Sequence, residues 1–200
     1  MNDYKYIDPD HVYTDPETGV LRNKLNIKDP GALMFAEAAA TAKRTNELRN
    51  KPIKIKDSRA LFAIHRHLFQ DIYTWAGERR KVEISKGGKQ FFPRSYFDNA
   101  LGYTDSLLAE YRRINETDRS SLAEKLAEIL DTVNYMHPFR EGNGRTQREF
   151  IRLLAMEKGW MLNLNPPDDI RIYRRYMDGT INGDTKALAR LLFDILHKDE

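Results

Sequence analysis

Residues 119–158 read RSSLAEKLAEILDTVNYMHPFREGNGRTQREFIRLLAMEK, two helical stretches joined by a glycine-rich turn. On the first, Leu122, Leu126, Ile129 and Val133 recur at spacings of three and four, the apolar stripe of a helix over about 119–136. Proline disfavours the α conformation in the residue before it, so this helix ends at or just before His137. A second helix runs over about 144–158, with Gly159 as its stop. Two core helices therefore present a polar turn, with His137 at its edge.

Working outward, the same signs recur. Asp29-Pro30 supplies an N-cap followed by proline at the first helical position, and alanine-rich sequence favours helix to about Leu48. A further helix starts at Asp57 or Ser58, carries Leu61, Ile64, Leu68 and Ile72 on one stripe, and stops near Gly77. Helices over about 95–114, 167–178 and 184–197 complete the set; Ser120 or Ser121, Asp168 and Asp184 mark starts. Leu188, Leu191, Leu192 and Ile195 form another core stripe. The one strand signal is the alternation Lys81 to Ile84, a turn over Lys86 to Lys89 and a return through Gln90, Phe91 and Phe92. A single hairpin is marginal alone and must lie on the helical body. Residues 1–28 lack a sustained period and read as an extended arm packed on a single domain over 29–200. The fold class is mainly α, a helical bundle with one β-hairpin.

Composition narrows the function. Among 200 residues, 33 Lys and Arg against 30 Asp and Glu leave a net charge of only +3, with the signs interspersed, so no direct nucleic-acid partner is expected. The clusters Lys51, Lys54 and Lys56, Arg79, Arg80 and Lys81, and Arg171, Arg174 and Arg175 read as solvated faces. The absence of cysteine excludes disulfide scaffolds, thiol catalysis and Cys-liganded zinc, and fits a cytoplasmic location. No apolar run reaches the ~20 residues that span a bilayer, so no membrane partner is expected. His65 and His67, two apart on a helix, point in different directions and make a poor metal pair. His11 and His197, near the termini, read as solvated.

The chemistry lies in His137-Pro138-Phe139-Arg140-Glu141-Gly142-Asn143-Gly144-Arg145-Thr146-Gln147-Arg148. Gly142-Asn143-Gly144 is a turn of minimal bulk where backbone N–H groups converge at a helix N-terminus, an anion cradle suited to polyphosphate. Arg145 and Arg148, three apart in the first turn, reach one side and clamp phosphate oxygens. Glu141 beside phosphate requires a bridging cation, most simply Mg2+. His137 has the pKa suited to taking a proton from a hydroxyl at neutral pH. Phe139 is an inward anchor for the loop. These parts describe nucleotide-dependent transfer onto a hydroxyl; the competing account is a glycine turn with a capping histidine and surface arginines. No Walker A string occurs.

HPFREGNGRTQR matches the Fic family motif HxFx(D/E)GNGRxxR at every specified position. With the helical order, the hairpin upstream of the motif and the opening YTDPETGVL, the chain resembles Fic domains of bacterial toxin–antitoxin modules and type IV effectors over essentially its full length. The resemblance implies a protein adenylyltransferase. His137 would deprotonate a Ser, Thr or Tyr hydroxyl that attacks the α-phosphorus of ATP. Glu141 would hold Mg2+, Gly142, Asn143 and Gly144 would form the anion hole, and Arg145 and Arg148 would bind the terminal phosphates. The 82–92 hairpin would be the flap that docks the target, with Lys89, Phe91 and Phe92 as docking residues, and Tyr173 and Tyr176 are candidates for lining an adenosine pocket.

Self-restrained members of the family carry an inhibitory helix with the pattern [ST]xxxE[GN]. The nearest strings here, Thr74 to Glu78, Ser106 to Glu110 and Ser120 to Glu124, are followed by Arg79, Tyr111 and Lys125 and do not qualify. The chain therefore resembles the class restrained by a separate small antitoxin, whose inhibitory helix would neutralise Arg148. Toxin-type relatives suggest DNA gyrase or topoisomerase IV as target, and effector-type relatives host GTPases. Transfer of another phosphate-containing group (phosphoryl, UMP or phosphocholine) is the alternative chemistry; the intact Gly144 argues against the phosphoryl-transfer branch.

Overall fold

The computed structural model describes residues 4–7, 11–86 and 88–198. Among them are seven α-helices: α1 (Pro30–Asn50), α2 (Ala60–Phe69), α3 (Phe97–Arg113), α4 (Arg119–Met136), α5 (Asn143–Glu157), α6 (Ile170–Asn182) and α7 (Thr185–Ile195). Three short strands, β1 (Tyr4–Ile7), β2 (Glu83–Lys86) and β3 (Lys89–Gln90), form one antiparallel sheet in the order β1-β2-β3.

α4 is the axis of the molecule. Its apolar stripe, Leu122, Leu126, Ile129 and Val133, is fully buried, and α3, α5 and α7 pack around it. From α7 come Leu188, Leu191 and Leu192, each 0% exposed. Burying a side chain of this size contributes roughly 1.5–3 kcal/mol, so the central helix is fixed by packing rather than by propensity. α2 lies against both α1 and α5, which places the N-terminal turn of α5 over Phe69.

The expected helices are present, with shifts at their ends that have local causes. α1 is capped by Asp29, whose side chain accepts from the Ala32 N–H at 2.7 Å. α2 starts three residues later than its first expected cap and is regular only to Phe69; residues 70–77 continue as turns closed by Gly77 at φ +83°. α4 is capped by Asp118 rather than by Ser120 or Ser121. Asp169 caps α6, which extends to Asn182 because Gly183, in the left-handed region, is what ends it.

The hairpin is present, but its ladder has two rungs, and it is joined by an unexpected third strand. Tyr4–Ile7 pair with Glu83–Lys86, so the early part of the arm is a sheet edge. Further along, Tyr13 is 3% exposed, meets Trp75 edge-on at 5.4 Å and accepts the Lys81 N–H at its hydroxyl. No helix among the described residues is long and apolar enough to cross a membrane.

One basic cluster is corrected. Arg79 and Lys81 are exposed, but Arg80 is 2% exposed and buried between the hairpin and the motif loop. A guanidinium is buried only where its donors are satisfied, and here backbone carbonyls satisfy them.

Candidate active site

The turn from α4 into α5 is held by its own residues. His137 closes α4 in the left-handed conformation, φ 46° and ψ 59°, which breaks the helix and sends the chain across the α5 N-terminus. Asn143 then pins the loop: its Oδ1 accepts the Phe139 N–H at 3.0 Å, and its Nδ2 donates to the Phe139 carbonyl at 2.8 Å. The Asn143 side chain is thus engaged by the loop, which leaves its backbone for the expected anion cradle, a division the sequence did not disclose. Gly142 opens α5 at φ +83°, and a Cβ there would lie 2.3 Å from Phe69 Cζ, so only glycine lets the backbone come this close.

Phe139 is 1% exposed and anchors the loop by stacking on His65 at 3.8 Å and meeting Phe62 edge-on at 5.3 Å. His65 itself is fully buried. Its Nδ1 accepts the Gly77 N–H at 2.8 Å, so the ring proton lies on Nε2, which donates to the Glu141 carbonyl at 3.0 Å. Burial lowers its pKa to about 3, and the ring stays neutral. The sequence offers His65 only as a poor metal ligand, whereas the structure makes it a prop beneath the motif.

At the mouth, His137 is 6% exposed. Its Nδ1 lies 3.0 Å from the Asn134 carbonyl, which can only accept, so Nδ1 carries the proton and Nε2 has the lone pair of a base. Phe91 of the hairpin stacks on the imidazole at 3.8 Å and 20°. Phe92 stands aside, edge-on to Tyr135 at 5.5 Å, with its N–H donating to the Tyr135 carbonyl. Lys89 opens β3, and its side chain lies outside the described part of the structure.

The two motif arginines lie on one side of α5 and line a cavity of about 400 Å3 between α1, α5 and the 162–167 segment. Arg145 sits over the Phe69 ring at 4.7 Å and pairs with Glu37, a buried carboxylate of α1 that also accepts from the Tyr73 hydroxyl. Burial and the adjacent Glu37 push the Tyr73 hydroxyl well above its ordinary range, so it remains a donor. Glu37 carries no motif signature and was invisible in the sequence. Arg148 lies 5.5 Å from the Tyr173 ring and 5.6 Å from that of Tyr176. Tyr176 is 2% exposed and packs as core, its pKa raised by burial, while Tyr173 is half-buried beside Arg148.

Glu141 is partly exposed. Its Oε1 accepts the N–H of Gly142 at 2.9 Å and lies 3.7 Å from Arg145 Nη2. One partly exposed carboxylate beside a turn expected to bind phosphate fits Mg2+, which takes one or two protein oxygens and completes its shell with phosphate and water. Among the described residues no group of three or more acidic or histidine side chains forms a metal cage.

A family model described as Fic/DOC matches residues 56–155, half of the chain, and spans the motif, α2 and the hairpin. The chain belongs to the Fic/DOC family. It is 38% identical over 160 residues to protein adenylyltransferase VbhT of Bartonella schoenbuchensis, covering 80% of this chain and 34% of that protein. It is 33% identical over 182 residues to "Probable protein adenylyltransferase y4lH" of Sinorhizobium fredii, covering 90% and 91%. The chain thus spans about a third of the length of one relative and nearly all of the other. Among solved structures, the N-terminal Fic domain of a VirB-translocated Bep effector protein from Bartonella quintana with bound ADP superposes with a TM-score of 0.84 at 27% identity, covering 95% and 96% of the two chains.

Proposed function

We propose that this chain is a protein adenylyltransferase: it transfers AMP from ATP to a Ser, Thr or Tyr hydroxyl of a target protein. The observation that carries this reading is the His137 tautomer. A ring whose Nδ1 donates to the Asn134 carbonyl offers Nε2 as base, and it does so at the mouth of the helix whose N-terminus is the phosphate seat. The target hydroxyl loses its proton to His137 Nε2, its oxygen bonds to the α-phosphorus, and the bond to the bridging oxygen breaks to release pyrophosphate. The Asn134 carbonyl faces the imidazolium that forms and stabilises it. The left-handed turn at Gly142 aims backbone N–H groups at the phosphates, with Arg145 and Arg148 on the outer ones. Glu141 would hold Mg2+, whose charge offsets that of the triphosphate. Relatives named protein adenylyltransferase and the ADP-bound relative support the same chemistry.

Docking would use the free edge of β3, because β1 already occupies the outer edge of β2. Restraint would come from a separate small antitoxin. The groove at Arg145 and Arg148 is walled on α1 by Ala38, Thr41 and Ala42, small residues against which a helix packs closely, and it gathers Arg49 as well as Arg152, the last paired with Glu149. A helix bearing a glutamate aimed at Arg148 complements that charge. Purified protein incubated with a cell extract should label a target from α-labelled ATP and not from γ-labelled ATP, with DNA gyrase and topoisomerase IV as the first purified targets. Label from the γ position alone would replace adenylyl with phosphoryl transfer.

A further inference from the structure

We propose that Arg80 is a positioning residue for the transfer reaction, one guanidinium that sets the catalytic turn and the flap in a single geometry. The inference rests on the adenylyl-transfer reading for its kinetics and on independent geometry for its mechanism. Arg80 lies 57 residues before His137 and outside the Fic motif, and its donors divide between two elements. Nε donates to the His137 carbonyl at 2.9 Å, and the Arg80 backbone N–H donates to the next carbonyl, that of Pro138, at 2.8 Å. Nη1 donates to the Val82 carbonyl at 2.7 Å and to Glu83 at 2.9 Å, and Nη2 to the Phe92 carbonyl. Val82 and Phe92 are the two ends of the flap. The guanidinium carbon stands 4.9 Å over the Phe97 ring, which closes the site from the α3 side.

The consequence follows from what those carbonyls belong to. His137 is held in the left-handed region, which a residue with a side chain occupies only when its surroundings impose it. Arg80 grips the carbonyl that this conformation turns inward, while the Asn134 carbonyl fixes the ring. Phe91, stacked on that ring, precedes the Phe92 carbonyl gripped by the same guanidinium. Base, stacking partner and flap end therefore share one anchor. The planar fork matters, since a lysine ammonium on a flexible stem cannot reproduce donors aimed at carbonyls on two elements. Among the described residues Arg80 itself hydrogen-bonds to His137, Pro138, Val82, Glu83 and Phe92 and not to Arg145, Arg148 or the first turn of α5, so its removal takes no donor from the phosphate side.

The test uses the full chain with Arg80→Lys and Arg80→Ala. We expect both variants to bind ATP close to wild type by calorimetry, and kcat for AMP transfer to fall about 100-fold, the scale of a misplaced catalytic group. In 15N-histidine NMR, the His137 signal, assigned by its loss in His137→Ala, should lose the signature of a fixed Nδ1–H tautomer. Millimolar guanidinium should restore part of the rate in Arg80→Ala. Wild-type kcat in either variant, or an unchanged His137 signal, overturns the proposal. So does loss of folding or of ATP binding in both variants, which would make Arg80 a stability residue. A wild-type protein that transfers no AMP refutes the function instead, and the NMR arm still decides the role of Arg80.

Discussion

The turn proposed as phosphate seat and the hairpin proposed as flap both adjoin His137 and are built on opposite principles. In the seat, backbone groups of the loop are tied by side chains of the helices that flank it: Asn143 of α5 to both polar atoms of Phe139, Thr146 of α5 to the Gly142 carbonyl at 3.0 Å, and His65 of α2 to the Glu141 carbonyl. Its conformation is over-determined before any nucleotide arrives. The flap has two rungs of ladder between β2 and β3, with β1 along its outer edge and Arg80 at its root. A triphosphate is the same in every reaction and rewards a rigid seat, whereas a protein segment must be admitted and released, which suits an element of low intrinsic stability.

Breaking the seat should have the largest effect. Gly142→Ala drives a methyl into Phe69 and forces a left-handed non-glycine residue. Conformational cost of ~1–2 kcal/mol and overpacking of ~1–3 kcal/mol together predict a loss of about 3 kcal/mol, with ATP binding lost by calorimetry. A variant that binds ATP normally would show the seat to be more forgiving than its geometry implies. Acid should strain the same region next. His65 takes up a proton near pH 6.5 when the chain is unfolded and only near 3 when folded, so between those values the unfolded state binds more protons. Stability therefore falls as pH drops below 6.5, by about 2 kcal/mol at pH 5 from this residue. Urea unfolding at pH 7 and pH 5 should show this loss in wild type and not in His65→Gln. The flap should respond least: Phe91→Ala removes one ring contact of about 0.5–1.5 kcal/mol. It should raise KM for the target severalfold and leave ATP affinity unchanged, and a change in ATP affinity would mean that seat and flap are not separable.

Much of this architecture was legible because periodicity and caps agree with the packing. The stripe from Leu122 to Val133 is the buried axis, Asp29 and Asp184 are caps, and the proline at 138 does end α4. The contiguous motif was equally legible, because its residues are neighbours in sequence and their spacing is their geometry. What escaped reading depends on contacts between distant segments. Arg80 looks like one basic residue among three until the flap folds over it, and Glu37 looks like a surface glutamate in an alanine-rich helix until α5 brings Arg145 alongside. β1 escaped because four residues are too short a run to carry a period, and what defines them as a strand is pairing with the distant edge of β2.

The central claim is that nucleotide binding and proton removal belong to separate parts of one turn. His137→Ala, measured side by side for ATP binding by calorimetry and for transfer from α-labelled ATP, tests it most directly. We expect affinity close to wild type with no detectable transfer; transfer at the wild-type rate, or loss of ATP binding along with it, would contradict the account.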